Sequence, residues 1–188
     1  MSARTNTYGV IFTNPHPTMI LEGTKTQTRR TKVRWRAGDI LVMKESWRVV
    51  GWQEDGGVLI EYRDGTRRHF VTPECDDEWF ERIWIACGEE CEKGGWMLNA
   101  SEVYEGPGDI PTRWRSPLYQ KWFTSRARLK VIKVWDELLW DISERDAYAE
   151  GWYSRSAFVK LYQDMHSAPC ENLFVYATEF ELMEADTK

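Results

Sequence analysis

Gly23-Thr24-Lys25-Thr26-Gln27-Thr28-Arg29-Arg30 is the stretch whose residue types and spacing could do chemistry. On extended backbone, side chains two apart share a face. Lys25, Gln27 and Arg29 then point one way, and Thr24, Thr26, Thr28 and Arg30 the other. A turn beside Gly23 can still bring Lys25 and Thr28 together. A threonine hydroxyl is a weak nucleophile until a neighbouring base takes its proton. A lysine can be that base only when burial or like charge lowers its pKa, and Arg29 and Arg30 supply the like charge. The same stretch also reads as a polar edge strand with surface cations, which needs no chemistry at all.

Charge is segregated along the chain. The net charge is −5, which speaks against a protein coated in basic residues for bulk duplex binding. Yet Lys25, Arg29, Arg30, Lys32, Arg34 and Arg36 follow one another with no acid between them. Arg113, Arg115, Lys121, Arg126, Arg128, Lys130 and Lys133 do the same. The acids gather between Glu74 and Glu92. A locally basic face is therefore compatible with an acidic protein, although solvated surface charge explains such runs equally well. Eleven tryptophans exceed what a core usually takes, and a surplus of rings is what base stacking would use.

No apolar run approaches the roughly 18 residues of a membrane span. Met1 to Thr7 is polar and lacks an apolar signal core, so a cytoplasmic location is expected. The four cysteines, Cys75, Cys87, Cys91 and Cys170, are expected to be reduced there. His69, Cys75, Cys87 and Cys91 could be combined into a zinc site. They lack paired Cys-x-x-Cys knuckles, so helix-core thiols are the simpler account and no metal or other cofactor is expected. His16 and His166 read as surface or loop residues.

The elements that would position the Lys25 segment can be read around it. Tyr8 to Phe12 is a short strand, and Thr18 to Glu22 a short helix stopped by Gly23. Ile40 to Met43 is a buried strand after the Ala37-Gly38-Asp39 turn. Val58 to Arg63 and Arg67 to Val71 form a hairpin around Asp64-Gly65. Thr72 is a plausible N-cap with Pro73 at the first helical position, opening a helix through Trp79, Ile83 and Cys87. The stretch of about 72–112 reads as an acidic helical insertion in a single domain spanning 1–188. Arg126 to Trp135 is a long strand, with Ala127, Leu129, Val131 and Lys133 on one face and Arg128, Lys130, Ile132 and Val134 on the other. Ser143 caps a helix ended by Gly151. Ser156 to Met165 is a second helix, and Asn172 to Leu182 the closing strand. The order predicts an α+β fold: a mixed β-barrel of five or six strands with short helices at its mouth and one inserted helix.

Gly-x-Lys-Thr-x-Thr-Arg after a short helix resembles the signature of the ASCH domain family, of PUA-like fold and phage or bacterial type. Further motifs follow in the family's order. They are Ala37-Gly38-Asp39-Ile40-Leu41 with Lys44-Glu45-Ser46-Trp47, Arg113-Trp114-Arg115 with Ser116-Pro117, Asp141-Ile142-Ser143 with Glu150-Gly151, and Phe174-Val175-Tyr176 with Glu179-Phe180. The resemblance implies a cleft for RNA, single-stranded nucleic acid or a modified nucleoside. It also implies amidohydrolase chemistry on N4-acetylcytidine-like nucleosides, with Lys25, Thr28 and Glu150 as the catalytic set. A ribonuclease or other nucleic-acid-processing protein is the alternative it leaves open. Arg30 closes the signature. Arg29 stands where small deacetylating members carry an apolar residue. Trp47, Trp114 and Trp152 lie beside signature elements as candidate stacking rings. Glu45 could bond a base edge or pair with an arginine, and Arg115 completes the expected substrate contacts.

Overall fold

The computed structural model describes residues 4–52, 57–98, 104–106, 110–166 and 172–183. The chain divides into two compact units, Met1–Lys44 with Ser125–Lys188, and Glu45–Thr124.

The first unit is built on a five-stranded mixed sheet. Its members are β1 (Thr7–Ile11), β2 (Gln27–Arg30), β3 (Ile40–Lys44), β9 (Arg128–Leu138) and β10 (Phe174–Leu182), in the order β1-β3-β9-β10-β2. β1 pairs with β3 in parallel, from Thr7 opposite Ile40 to Ile11 opposite Lys44. A parallel pair needs a long crossover, and α1 (His16–Leu21) together with β2 lies in it. The other neighbours are antiparallel. Val10, Phe12, Ile20, Leu41, Met43, Ala127, Leu129, Val131 and Phe180 form one buried cluster. α3 (Glu144–Ala149) and α4 (Arg155–His166) close a second cluster over Val175 with Ile142, Ala147, Phe158, Val159 and Tyr162.

Where a closed barrel was expected, β1 and β2 end the ladder order, and no ladder joins them among the described residues. A side chain reaches across instead: Arg30 Nη2 donates to the Ile11 carbonyl at 2.6 Å. The fold is thus mixed α+β with a curled, open five-stranded sheet.

The long strand departs from simple alternation. Glu179 pairs with Lys133 but Phe180 pairs with Val131, leaving Ile132 as the bulged residue. One extra residue flips every later side chain to the opposite face. Lys133, expected to share the face of Val131, is therefore exposed. Val134, expected on the other face, packs against the first cluster.

The second unit carries a three-stranded antiparallel sheet, β4 (Trp47–Trp52), β5 (Gly57–Tyr62) and β6 (Arg67–Val71). It also holds the helix α2 (Asp77–Lys93) and the two-residue strands β7 (Met97–Leu98) and β8 (Tyr104–Glu105). Gly65, at φ +82°, supplies the left-handed residue of the expected hairpin. Trp47, Val49, Val58, Ile60, Tyr62, Trp79 and Cys87 form its core. The expected Thr72 cap is not used. Pro73 is extended, a single 3-10 turn covers Glu74–Asp76, and the helix proper starts at Asp77. The expected insertion at about 72–112 falls within this unit. No helix among the described residues is long and apolar enough to cross a membrane.

Candidate functional site

Gly23, at φ +75°, ends α1. The chain then turns so that the Lys25 N–H donates to the Met19 carbonyl at 3.0 Å and the Thr26 N–H to the Ala149 carbonyl at 2.9 Å. The first bond ties the signature to α1, and the second seats it against the C-terminal end of α3. On the other side, Ser143 caps α3 by accepting from the Asp146 N–H at 3.0 Å, and Gly151, at φ +89°, terminates it. Glu150 is held between cap and stop, facing the incoming Lys25.

The Lys25 Nζ donates to Glu150 Oε2 at 2.6 Å and to the Glu150 carbonyl at 2.6 Å. It thereby also satisfies a carbonyl that the helix leaves over. Side-chain exposure is 1% for Lys25 and 4% for Glu150. Arg29 extends the cluster: its Nη1 lies 3.3 Å from Glu150 Oε1 and 3.1 Å from Gln27 Oε1, and its Nε donates to Glu137 Oε1 at 2.6 Å. Gln27 Nε2 donates to Asp146 Oδ1 at 3.0 Å, and Trp135 Nε1 to Glu137 Oε2 at 2.6 Å. The alternation read from the sequence holds here, since Lys25, Gln27 and Arg29 meet one set of acids.

Burial lowers the Lys25 pKa from its ordinary value. The charge and hydrogen bond of Glu150 oppose that shift, and Arg30 and Arg29 add to it. For Asp146 burial works upward, but hydrogen bonds from Ser143 and Gln27 and the charges of Arg29 and Arg145 win, so its pKa is lowered. His16 was expected on the surface. Burial first, then Lys25 and Arg30, push its pKa down to about 4, so it is neutral at pH 7. Its ring meets Trp152 edge-on at 6.4 Å. Two guanidinium nitrogens, Arg29 Nη2 and Arg30 Nε, are buried without a hydrogen-bond partner.

Thr28 is buried on the other face of β2, opposite Thr178. Both hydrogen bonds of the Lys25 ammonium go to Glu150 and none to Thr28. Arg30 shares the Thr28 face and lies over the Phe12 ring at 5.7 Å. Trp152 is half-buried beside Gly151.

The remaining expected contacts lie in the second unit. Trp47, expected to offer its ring to a base, is fully enclosed and packs on Trp79 at 6.0 Å, because its strand position faces that unit's core. Glu45 is buried, and its backbone N–H donates to Gln120 Oε1 at 2.8 Å. Arg115 is committed to Glu90 at 3.1 and 3.2 Å and to Cys87 Sγ at 3.3 Å. Trp114 is half-buried between the guanidinium groups of Arg48 at 5.1 Å and Arg63 at 4.0 Å. Cys87 and Cys91 are buried free thiols, and burial raises Cys87 to about 12. The Cys75 side chain and Cys170 lie outside the described residues.

Sequence reasoning did not name Glu137, Asp146, Gln27 or His16 as site members. Gln27 could have been found, because it shares the Lys25 and Arg29 face. Asp146 gave the capping signal only. Glu137 gave none, since its place depends on the long-range register of β9.

No protein-family model matches the chain, and no curated protein matches it. Two solved structures are similar to it. A DUF984-family protein from Enterococcus faecalis V583 is 10% identical, with a TM-score of 0.44 over 100% of this chain and 86% of that one. An ASCH domain from Lactobacillus crispatus JV V101 is 9% identical, with a TM-score of 0.45 over 95% of this chain and 79% of that one.

Proposed function

We propose that this protein binds RNA or a modified nucleoside at the Lys25–Arg29–Glu150 cluster, and that the cluster hydrolyses the acyl amide of an N4-acylated cytidine. The supporting observation is the buried ion cluster itself. Withdrawing charges from water is costly, and apolar residues of similar volume often serve stability as well or better. Strongly perturbed ionisable groups concentrate at functional sites. The two unpartnered guanidinium nitrogens suit an acceptor such as a base carbonyl or a phosphate.

The chemistry follows from the bonded pair. Thr28 lies on the opposite face of β2 from Lys25, so neutral Lys25 takes the proton of the Thr28 hydroxyl through an intervening water as that oxygen attacks the acyl carbon. The proton crosses the 2.6 Å contact to Glu150, which delivers it to the departing N4 amine. Water then hydrolyses the acyl-threonine ester. The motif resemblance supplies the Thr28 role. Burial, which favours uncharged Lys25, supports the role of base.

The test is incubation with N4-acetylcytidine and chromatographic measurement of cytidine release, beside calorimetric binding. Wild type should release cytidine, Glu150→Gln should release it at least about 100-fold more slowly, and Lys25→Ala should neither bind nor react while remaining folded. Wild type that neither binds nor turns over the nucleoside overturns the proposal.

A further inference from the structure

From the exposed face of β10 we infer a base-stacking platform for single-stranded nucleic acid, flanked by a cationic strip for its phosphates. Phe174 and Tyr176 are two apart on the strand and share a face. Val175 and Ala177 face the other way and are fully buried, Val175 in the cluster closed by α3 and α4. Phe174 is 61% exposed and Tyr176 42%. Among the described residues neither ring stacks on another ring or on a cation. The pleat sets such side chains about 6.6–6.8 Å apart, which gives each ring room for one base.

Charge decides between a polyanion and an apolar protein partner. Tyr176 pairs across the ladder with Arg30 on one side and with the exposed Asp136 on the other, so the cations lie on the β2 side only. From Arg30 the chain runs on through Lys32, Arg34 and Arg36, all exposed, and no acid occurs between Lys25 and Arg36. In a chain of net charge −5, two bare aromatic rings beside this cationic segment suit bases on the rings and phosphates on the cations. The platform lies on the Thr28 and Arg30 face of the sheet, opposite the Arg29 face of the proposed nucleoside site; it rests on that reading for its ligand class and uses different residues.

Fluorescence anisotropy with short unstructured RNA and DNA oligomers tests it. Phe174→Ala combined with Tyr176→Ala should weaken binding about tenfold per ring lost, without altering the dependence on salt. Tyr176→Phe should keep most of the affinity, because it keeps the ring. Lys32→Ala with Arg34→Ala should instead flatten the plot of log affinity against log salt by about one to two units. The RNA and DNA arms show which strand is preferred. N4-acetylcytidine turnover should be unchanged in the double aromatic variant, so the platform and the nucleoside reaction fail separately. Unchanged oligomer affinity in that variant, no oligomer binding by wild type, or self-association abolished by it would overturn the inference.

Discussion

His16 changes its meaning most between sequence and structure. One histidine after a turn carries no local sign that Lys25 and Arg30 will stand near it. With the folded pKa at about 4 against 6.5, the unfolded chain takes up a proton between those values and the native protein does not. Stability is therefore complete above roughly pH 6.5 and falls as the pH drops toward 4. Since His16 still touches solvent, its share is about 1–2 kcal/mol after screening. Urea unfolding at pH 4.5 and 7 should show His16→Gln losing less stability on acidification than wild type. Glu137 offers a second test. It bonds Arg29, whose side chain is fully buried, so Glu137→Ala leaves the Arg29 Nε without an acceptor and should cost about 2–3 kcal/mol in unfolding free energy. Paired replacement of Arg29 and Glu137 by Met and Leu should cost less than the single change.

At the scale of elements, α3 was legible because both its boundaries are local chemistry. Ser143 predicted the start and Gly151 the end, and both hold. Ser143→Ala should cost about 1 kcal/mol in thermal or urea unfolding. Gly151→Ala should cost more, because alanine resists φ +89° and its methyl would come within 2.9 Å of the Met19 side chain. It would also displace Glu150, so turnover should fall further than stability. The facing of β9 beyond Val131 was not legible. Alternation is counted residue by residue, and the bulge at Ile132 is set by its pairing with β10, far away in the chain. Trp47 was misjudged for a similar reason, since a ring beside a signature motif gives no sign of which side its strand will bury.

At the scale of the molecule, the first unit is made of two chain segments whose ends meet. Ser125 Oγ donates to the Met43 carbonyl at 2.7 Å, and the Met43 N–H to the Ala127 carbonyl at 3.1 Å. A short Gly-Ser linker replacing Glu45–Thr124 should therefore leave the five-stranded sheet folded, with its own cores and the Lys25–Glu150 pair. Circular dichroism and a cooperative thermal transition would show this, and a chain without cooperative melting would show that the first unit depends on the second.

The Arg30 bond to Ile11 has one more effect. A sheet margin with idle carbonyls is a template on which a stranger's strand can grow. Ile11, at the end of one margin, already has its acceptor taken by a guanidinium from the opposite margin. Filament growth from that end must first evict an arginine, so Arg30→Gly should polymerise more readily when concentrated, as light scattering would show.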